Sequence, residues 1–244
     1  MECKMTKPID IRASMCDHNG FLSAPAVFAL FMDLASEHGS AIRLGMRDLS
    51  AKGLFWLTVK TRIRFHRMPA MLETVTADTW PEKPGRIRCN RYYVLRDGDE
   101  VLAEGKTEWA IIEMASGKLQ KLSEVYPGDL NHLPDVVCAG AYARIPEDFT
   151  GCPEIGTYTI RSTDIDVGQH MNNSAYVRVM FGAFTCAQTD GMHLQEAEVS
   201  FRSPCFEGDT LSIRTRPTEN GLDVGMVRAD GTTAIAARLT FGNA

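Results

Sequence analysis

The chain has 244 residues, 44% of them apolar, and a formal net charge of −5. That length suits two small domains or one larger one, and the apolar content allows a full core without covalent staples. The mild negative charge argues against general nucleic-acid binding.

The N-terminal stretch, Met1-Glu-Cys-Lys-Met-Thr-Lys-Pro8, is polar and lacks a signal-type apolar core. After Asp17 comes a short polar loop, then a helix predicted from Ala24 to Leu34. Its apolar residues Val27, Phe28, Leu30, Phe31 and Leu34 cover more than one face, so it is expected to be buried. The run Ala24 to Met32 is too short to span a bilayer. The alternation in Thr61-Arg-Ile-Arg-Phe65 suits a half-buried antiparallel strand, and Arg96-Asp-Gly98 suits a hairpin turn. From Tyr126 to Pro153 the chain is rich in Pro and Gly without periodicity, which reads as a linker. A second polar loop, 164–173, precedes an apolar helical run from Ser174 to Phe184. Another strand, Glu198-Val-Ser-Phe201, and another Asp-Gly turn, Ala229-Asp-Gly231, follow.

These elements repeat. Ile63, Phe65, Glu73 and Thr74 align without gaps on Val199, Phe201, Asp209 and Thr210, and Asp17 to Phe28 aligns on Asp166 to Val177. Each half reads as strand, polar loop, helix and further strands. The seven cysteines (Cys3, Cys16, Cys89, Cys138, Cys152, Cys186 and Cys205) are odd in number and contain no C-x-x-C pair. A disulfide framework, a zinc site or another cofactor is not expected, and a reducing cytoplasm fits.

The most informative stretch is Asp164-Ile-Asp-Val-Gly-Gln-His-Met-Asn-Asn173. It places two carboxylates, an imidazole and two amides ahead of a predicted helix. Helix N-termini collect unpaired N–H groups and positive dipole, which suits a developing oxyanion. An adjacent Asp and His can activate a water. In the first half, Phe21, Ser23 and Ala24 fall where the second has His170, Asn172 and Asn173, and Asp17 matches Asp166. One site per chain is therefore expected, built mainly from the second half. Asp164 is assigned to capping or to a solvated position.

This stretch resembles the hot-dog-fold thioesterases, in which Asp-x-x-x-His-x-Asn-Asn precedes the helix; here those residues are Asp166, His170, Asn172 and Asn173. Together with Phe55-Trp-Leu-Thr-Val59, the segment Asp78 to Arg88 around Trp80, and the Phe201-to-Leu211 strand and turn, the resemblance is to the acyl-ACP thioesterase family. It implies an α+β fold of two tandem hot-dog domains, each a long helix on an antiparallel sheet: 1–127, which would hold the acyl chain, a linker at 128–153, and 154–244, which would hold the catalytic residues. It implies hydrolysis of fatty acyl-[acyl carrier protein] in fatty acid biosynthesis by a water that Asp166 or His170 activates, with Asn172 contributing. Backbone N–H groups near Gly168, Gln169 and His170 would polarise the carbonyl. Cys205 matches a position proposed as nucleophile, with His170 as its base.

Two departures stand out. Plant members carry Asn at the position of Gly168, and the family often has Glu where Pro204 stands. Glu198 or Glu207 could replace that Glu. Carrier proteins are acidic, and Lys60 to Arg96 holds nine basic residues against three acidic. Arg62 and Arg64 on one strand face, and Arg86 and Arg88 on another, are the expected docking residues. An acyl-CoA thioesterase and a non-catalytic acyl-binding module are the alternatives, and a homodimer is left open.

Overall fold

The structure is a computed structural model that describes residues 3–242; Met1 and Glu2 of the polar N-terminal stretch, and the last two residues of the expected second domain, lie outside the described residues. The chain divides into two compact units, Met1–Gly140 and Ala141–Ala244.

The first unit runs β1 (Met5–Asp10), a 3-10 turn (Ala13–Met15), α1 (Ala24–Ala41), α2 (Met46–Ser50), β2 (Leu54–Phe65), β3 (Thr74–Pro81), β4 (Cys89–Asp97) and β5 (Glu100–Glu113). Its strands pair antiparallel in the order β1-β3-β4-β5-β2. The second unit runs β6 (Glu154–Thr159), a 3-10 turn (Ser162–Asp164), α3 (Asn173–Gly182), α4 (Cys186–Asp190), β7 (Leu194–Phe201), β8 (Thr210–Thr218), β9 (Gly221–Arg228) and β10 (Thr233–Phe241). Its order, β6-β8-β9-β10-β7, is the same topology. The repeat read from the sequence is a structural duplication.

Helix α1 is longer than predicted. Its buried residues Val27, Phe28, Phe31, Leu34, Ala35 and His38 keep helical spacing to the end, so burial carries the helix past Leu34. Ser23 caps it by accepting the Ala26 N–H, with Pro25 in the first turn. Phe31 stacks on Tyr93, with centroids 4.8 Å apart. Gly105 makes this approach possible, because a Cβ there would lie 2.9 Å from the Phe31 ring. Helix α3 is shorter and stops at Gly182, two residues before Phe184; Tyr176 packs edge-on against Phe201 at 6.2 Å. The first hairpin turns at Gly98, whose φ of 55° suits glycine.

The stretch from 125 to 153 contains no helix or strand, yet it is packed. In the first unit Leu130 joins Ile42 and Leu44, and Leu133 and Val137 cover Trp80, Tyr92 and Val94. Arg64 donates to the Ala139 carbonyl at 3.1 Å and Lys106 donates to that of Gly140. In the second unit Ile145 and Phe149 cover Ala236. Each sheet therefore carries its helix on one face and a strap on the other. No helix among the described residues is long and apolar enough to cross a membrane.

Candidate functional site

The loop before α3 closes on itself. Asp166 N–H bonds the His170 carbonyl at 3.1 Å, Gln169 N–H bonds the Asp166 carbonyl at 3.0 Å, and Ile165 bridges Met171. So tight a turn requires a left-handed residue, and Gln169 adopts φ 62°. Met171 N–H then bonds the Cys205 carbonyl at 2.8 Å, which ties the loop to the turn after β7.

This closure brings Asp166, His170 and Asn172 together. Asn172 is the N-cap of α3: its Oδ1 accepts the Ser174 N–H at 2.8 Å, and its Nδ2 faces Asp166 Oδ2 at 3.4 Å. Asp166 Oδ1 accepts the Gly168 N–H at 2.7 Å. His170 Nδ1 lies 4.0 Å from Asp166 Oδ1, with side-chain exposures of 31% and 25%, so water reaches both groups. Asn173, first residue of α3, has a backbone N–H with no acceptor among the described residues.

The structure corrects several expectations. The N–H groups of Gly168 and Gln169 already donate to Asp166, to its Oδ1 and its carbonyl, so neither is open to an oxyanion. Cys205 is 0% exposed, and burial pushes its thiol pKa up despite the nearby Tyr176 hydroxyl and Arg228. A nucleophilic cysteine needs the opposite, an exposed thiol with a lowered pKa. Glu198 cannot stand in for the missing Glu, because its strand alternates: Phe201 and Val199 face α3, whereas Glu198 and Ser200 lie on the strap face with Ala236. Glu207 is exposed in the turn before β8. Asp164 is fully buried and hydrogen-bonded.

The expected docking surface also changes. Arg62 is 5% exposed, so it presents no charge to a partner; its face of β2 lies under the strap, with Nη1 near Gly140. Arg64 pairs with Glu104 at 3.4 Å and bonds the strap. Arg67, Arg91 and Arg96 are also engaged internally. Arg86 and Arg88 lie in the bend before β4 rather than on a strand, because Pro84 and Gly85 turn the chain. They are exposed, along with Lys83, although Arg88 reaches Glu108 at 2.8 Å.

Inside the first unit, the interior under the C-terminal half of α1 is polar. Arg91, 7% exposed, donates to His38 Nδ1 at 2.8 Å, and Thr61 bonds Thr107 at 3.0 Å. Apolar residues alone do not line this space, and the sequence pattern gave no sign of it. A cavity of about 450 Å³ lies in the second unit, lined by Phe149, Thr157, Ser212, Arg214, Val227 and Arg228 among others. It holds none of Asp166, His170 or Asn172.

Two family models match in tandem: the acyl-ACP thioesterase N-terminal domain over residues 2–127 and the C-terminal domain over residues 150–242. The chloroplastic oleoyl-acyl carrier protein thioesterase of Coriandrum sativum is 26% identical over 84% of this chain and 58% of its own length. The chain thus spans little more than half the length of the curated relatives it matches. Among solved structures, an acyl-ACP thioesterase from Bacteroides thetaiotaomicron superposes with a TM-score of 0.88 at 20% identity, covering 98% of each chain. The 12:0-ACP thioesterase from Umbellularia californica superposes at 0.81 and 17% identity, covering 99% of this chain and 98% of its own. At these identities the likeness establishes the fold, a pair of hot-dog units.

Proposed function

The chain belongs to the acyl-ACP thioesterase family, and from that premise we propose that it hydrolyses the thioester of fatty acyl-[acyl carrier protein] to free fatty acid and holo-carrier protein. The observation that carries the reading is the pairing of Asp166 and His170 on one solvent-accessible turn at a helix N-terminus.

Asp166 is the base for the attacking water. Its carboxylate is fixed by the Gly168 N–H and faces the Asn172 amide, so its orientation is set before substrate arrives. Water adds to the thioester carbon and gives a proton to Asp166. The oxyanion is held at the start of α3, where the Asn173 N–H and the helix dipole point at it. When the C–S bond breaks, His170 gives a proton to the departing thiolate and recovers one from Asp166, which restores the site. Cys205 contributes packing and its carbonyl, which anchors Met171; Cys205→Ser is expected to keep kcat within about threefold, because no step passes through the thiol.

The acidic carrier docks at the exposed bend holding Lys83, Arg86 and Arg88, in place of the covered face of β2. The acyl chain lies in the first unit. Fatty acid biosynthesis in a reducing cytoplasm suits seven cysteines that are all free.

The test is release of fatty acid from a chain-length series of acyl-carrier proteins, beside the matching acyl-CoAs. Turnover that favours the carrier substrate and is lost in His170→Ala upholds the reading. Preference for acyl-CoA would replace the carrier assignment, and tight acyl binding without turnover would make the protein a binding module. Reversing Arg86 and Arg88 to Glu is expected to raise KM for acyl-carrier protein and spare a short acyl-thioester; equal losses on both would refute docking there.

A further inference from the structure

Asp164 is a buried carboxylate beside the site, and the chemistry above does not use it. Its side chain is 0% exposed, and Arg178 Nη2 reaches its Oδ1 at 2.5 Å. Its Oδ2 accepts from the Tyr158 hydroxyl at 2.8 Å and from the Arg161 N–H at 2.9 Å. Its carbonyl accepts the Asn172 N–H at 2.8 Å. One residue thus holds both ends of the loop that carries Asp166 and His170, and ties that loop to β6 through Tyr158 and to α3 through Arg178.

The loop before α1 separates what folding needs from what is added. There the Ser23 N–H bonds the Met15 carbonyl at 3.0 Å, which is the same closure as Asn172 on Asp164. At the positions of Tyr158, Asp164 and Arg178, however, stand Ile9, Met15 and Ala29. The backbone closes without the ion pair. The ion pair is found in the half that carries the histidine.

We propose that Arg178 is a positioning residue for this site: through the buried Asp164 carboxylate it clamps the 161–172 loop to α3, so that Asp166 and His170 keep one geometry. The inference rests on the thioesterase reading for its effect on turnover, but not for its effect on the loop. A carboxylate removed from water needs its partner, and losing one member of such a pair leaves an uncompensated charge. The Arg178 side chain is itself 58% exposed, so replacing it removes the clamp without opening the core.

The experiment uses the full chain with Arg178→Met, Arg178→Lys and Asp164→Asn. Steady-state kinetics are run on acyl-carrier protein, and backbone amide exchange is followed in the loop and in β9 and β10. Arg178→Met is expected to lower kcat about 10- to 100-fold with KM nearly unchanged, since a small misplacement of catalytic groups has effects of that order. Arg178→Lys should recover most of the loss. The Asn172 and Gln169 amides should exchange at least about tenfold faster, with β9 and β10 unaffected, because local opening is separable from global unfolding. Asp164→Asn should behave like Arg178→Met. Wild-type kcat in Arg178→Met, or unchanged loop exchange there, overturns the proposal. If the wild-type chain turns over no thioester, the functional reading fails separately, and loop exchange in Arg178→Met decides whether the clamp exists.

Discussion

The loop before α1 and the loop before α3 follow one backbone path with different side chains. Asp17 N–H bonds the Phe21 carbonyl at 2.8 Å as Asp166 bonds that of His170, and Cys16 bridges Leu22 as Ile165 bridges Met171. The left-handed position is Gly20 in the first loop, φ 81°, and Gln169 in the second. In the first, Asp17 Oδ1 accepts the N–H groups of both Asn19 and Phe21, the work of a turn residue. In the second, the imidazole and the capping amide face the matching carboxylate, and Arg178 holds the loop through Asp164. The difference teaches that the turn is a property of the fold, whereas the chemistry is a handful of side chains placed upon it.

Substitution at the matched aspartates tests that separation most sharply. Asp166→Asn should lower kcat by about two to four orders of magnitude, as loss of a general base does. Asp17→Asn should leave kcat unchanged, since its carboxylate serves its own turn. Equal losses in acyl-thioester hydrolysis assays would mean that the two loops share the work.

Acid stability should also divide the halves. Burial alone would raise the pKa of Asp78, but hydrogen bonds from Thr6, Arg96 and Lys4 outweigh it and hold the carboxyl below its ordinary value. A folded-state pKa below the unfolded one stabilises above the unfolded value, about 3.9, and that contribution is lost as pH falls through the folded value. In the repeat register Arg214 takes this position in the second unit. Asp78→Asn should therefore lower Tm at pH 7 and shrink the further drop seen on acidification below pH 4, measured by calorimetry. An unchanged acid limb would remove Asp78 from the account.

The smallest effect is expected at the left-handed residue. A non-glycine residue at positive φ carries strain of about 1–2 kcal/mol, part of which glycine returns as greater chain entropy in the unfolded state. Gln169→Gly should raise stability by about 1 kcal/mol or less and make the second loop match Gly20. A fall in Tm would show that the Gln169 side chain holds the loop by contacts of its own.

Some of this was legible in the chain and some was not. The duplication was visible because strands and helices carry their periods locally, and the ungapped match of Ile63 and Phe65 on Val199 and Phe201 survives without any contact being known. The candidate site was visible because Asp166, His170 and Asn172 fall within seven residues, so their meeting needs only one turn. The Arg178 clamp was not visible: it joins residues 14 apart on a loop and a helix, and nothing in the spacing marks it. The covering of Arg62 was equally hidden, because its partner, Cys138 of the strap, lies 76 residues downstream.

The amino-acid sequence by itself determined the two-fold repeat, the hot-dog layers and the asymmetry that leaves one half with the imidazole. Hydrophobic period, caps and turn residues act over a few positions and need no distant partner. Only the tertiary structure decided which polar groups remain available. Burial removed the Cys205 thiol, strand alternation turned Glu198 to the strap face, and intraloop bonds occupied the Gly168 and Gln169 N–H groups. Each of these outcomes depends on what lies across space from a residue, which spacing along the chain does not encode.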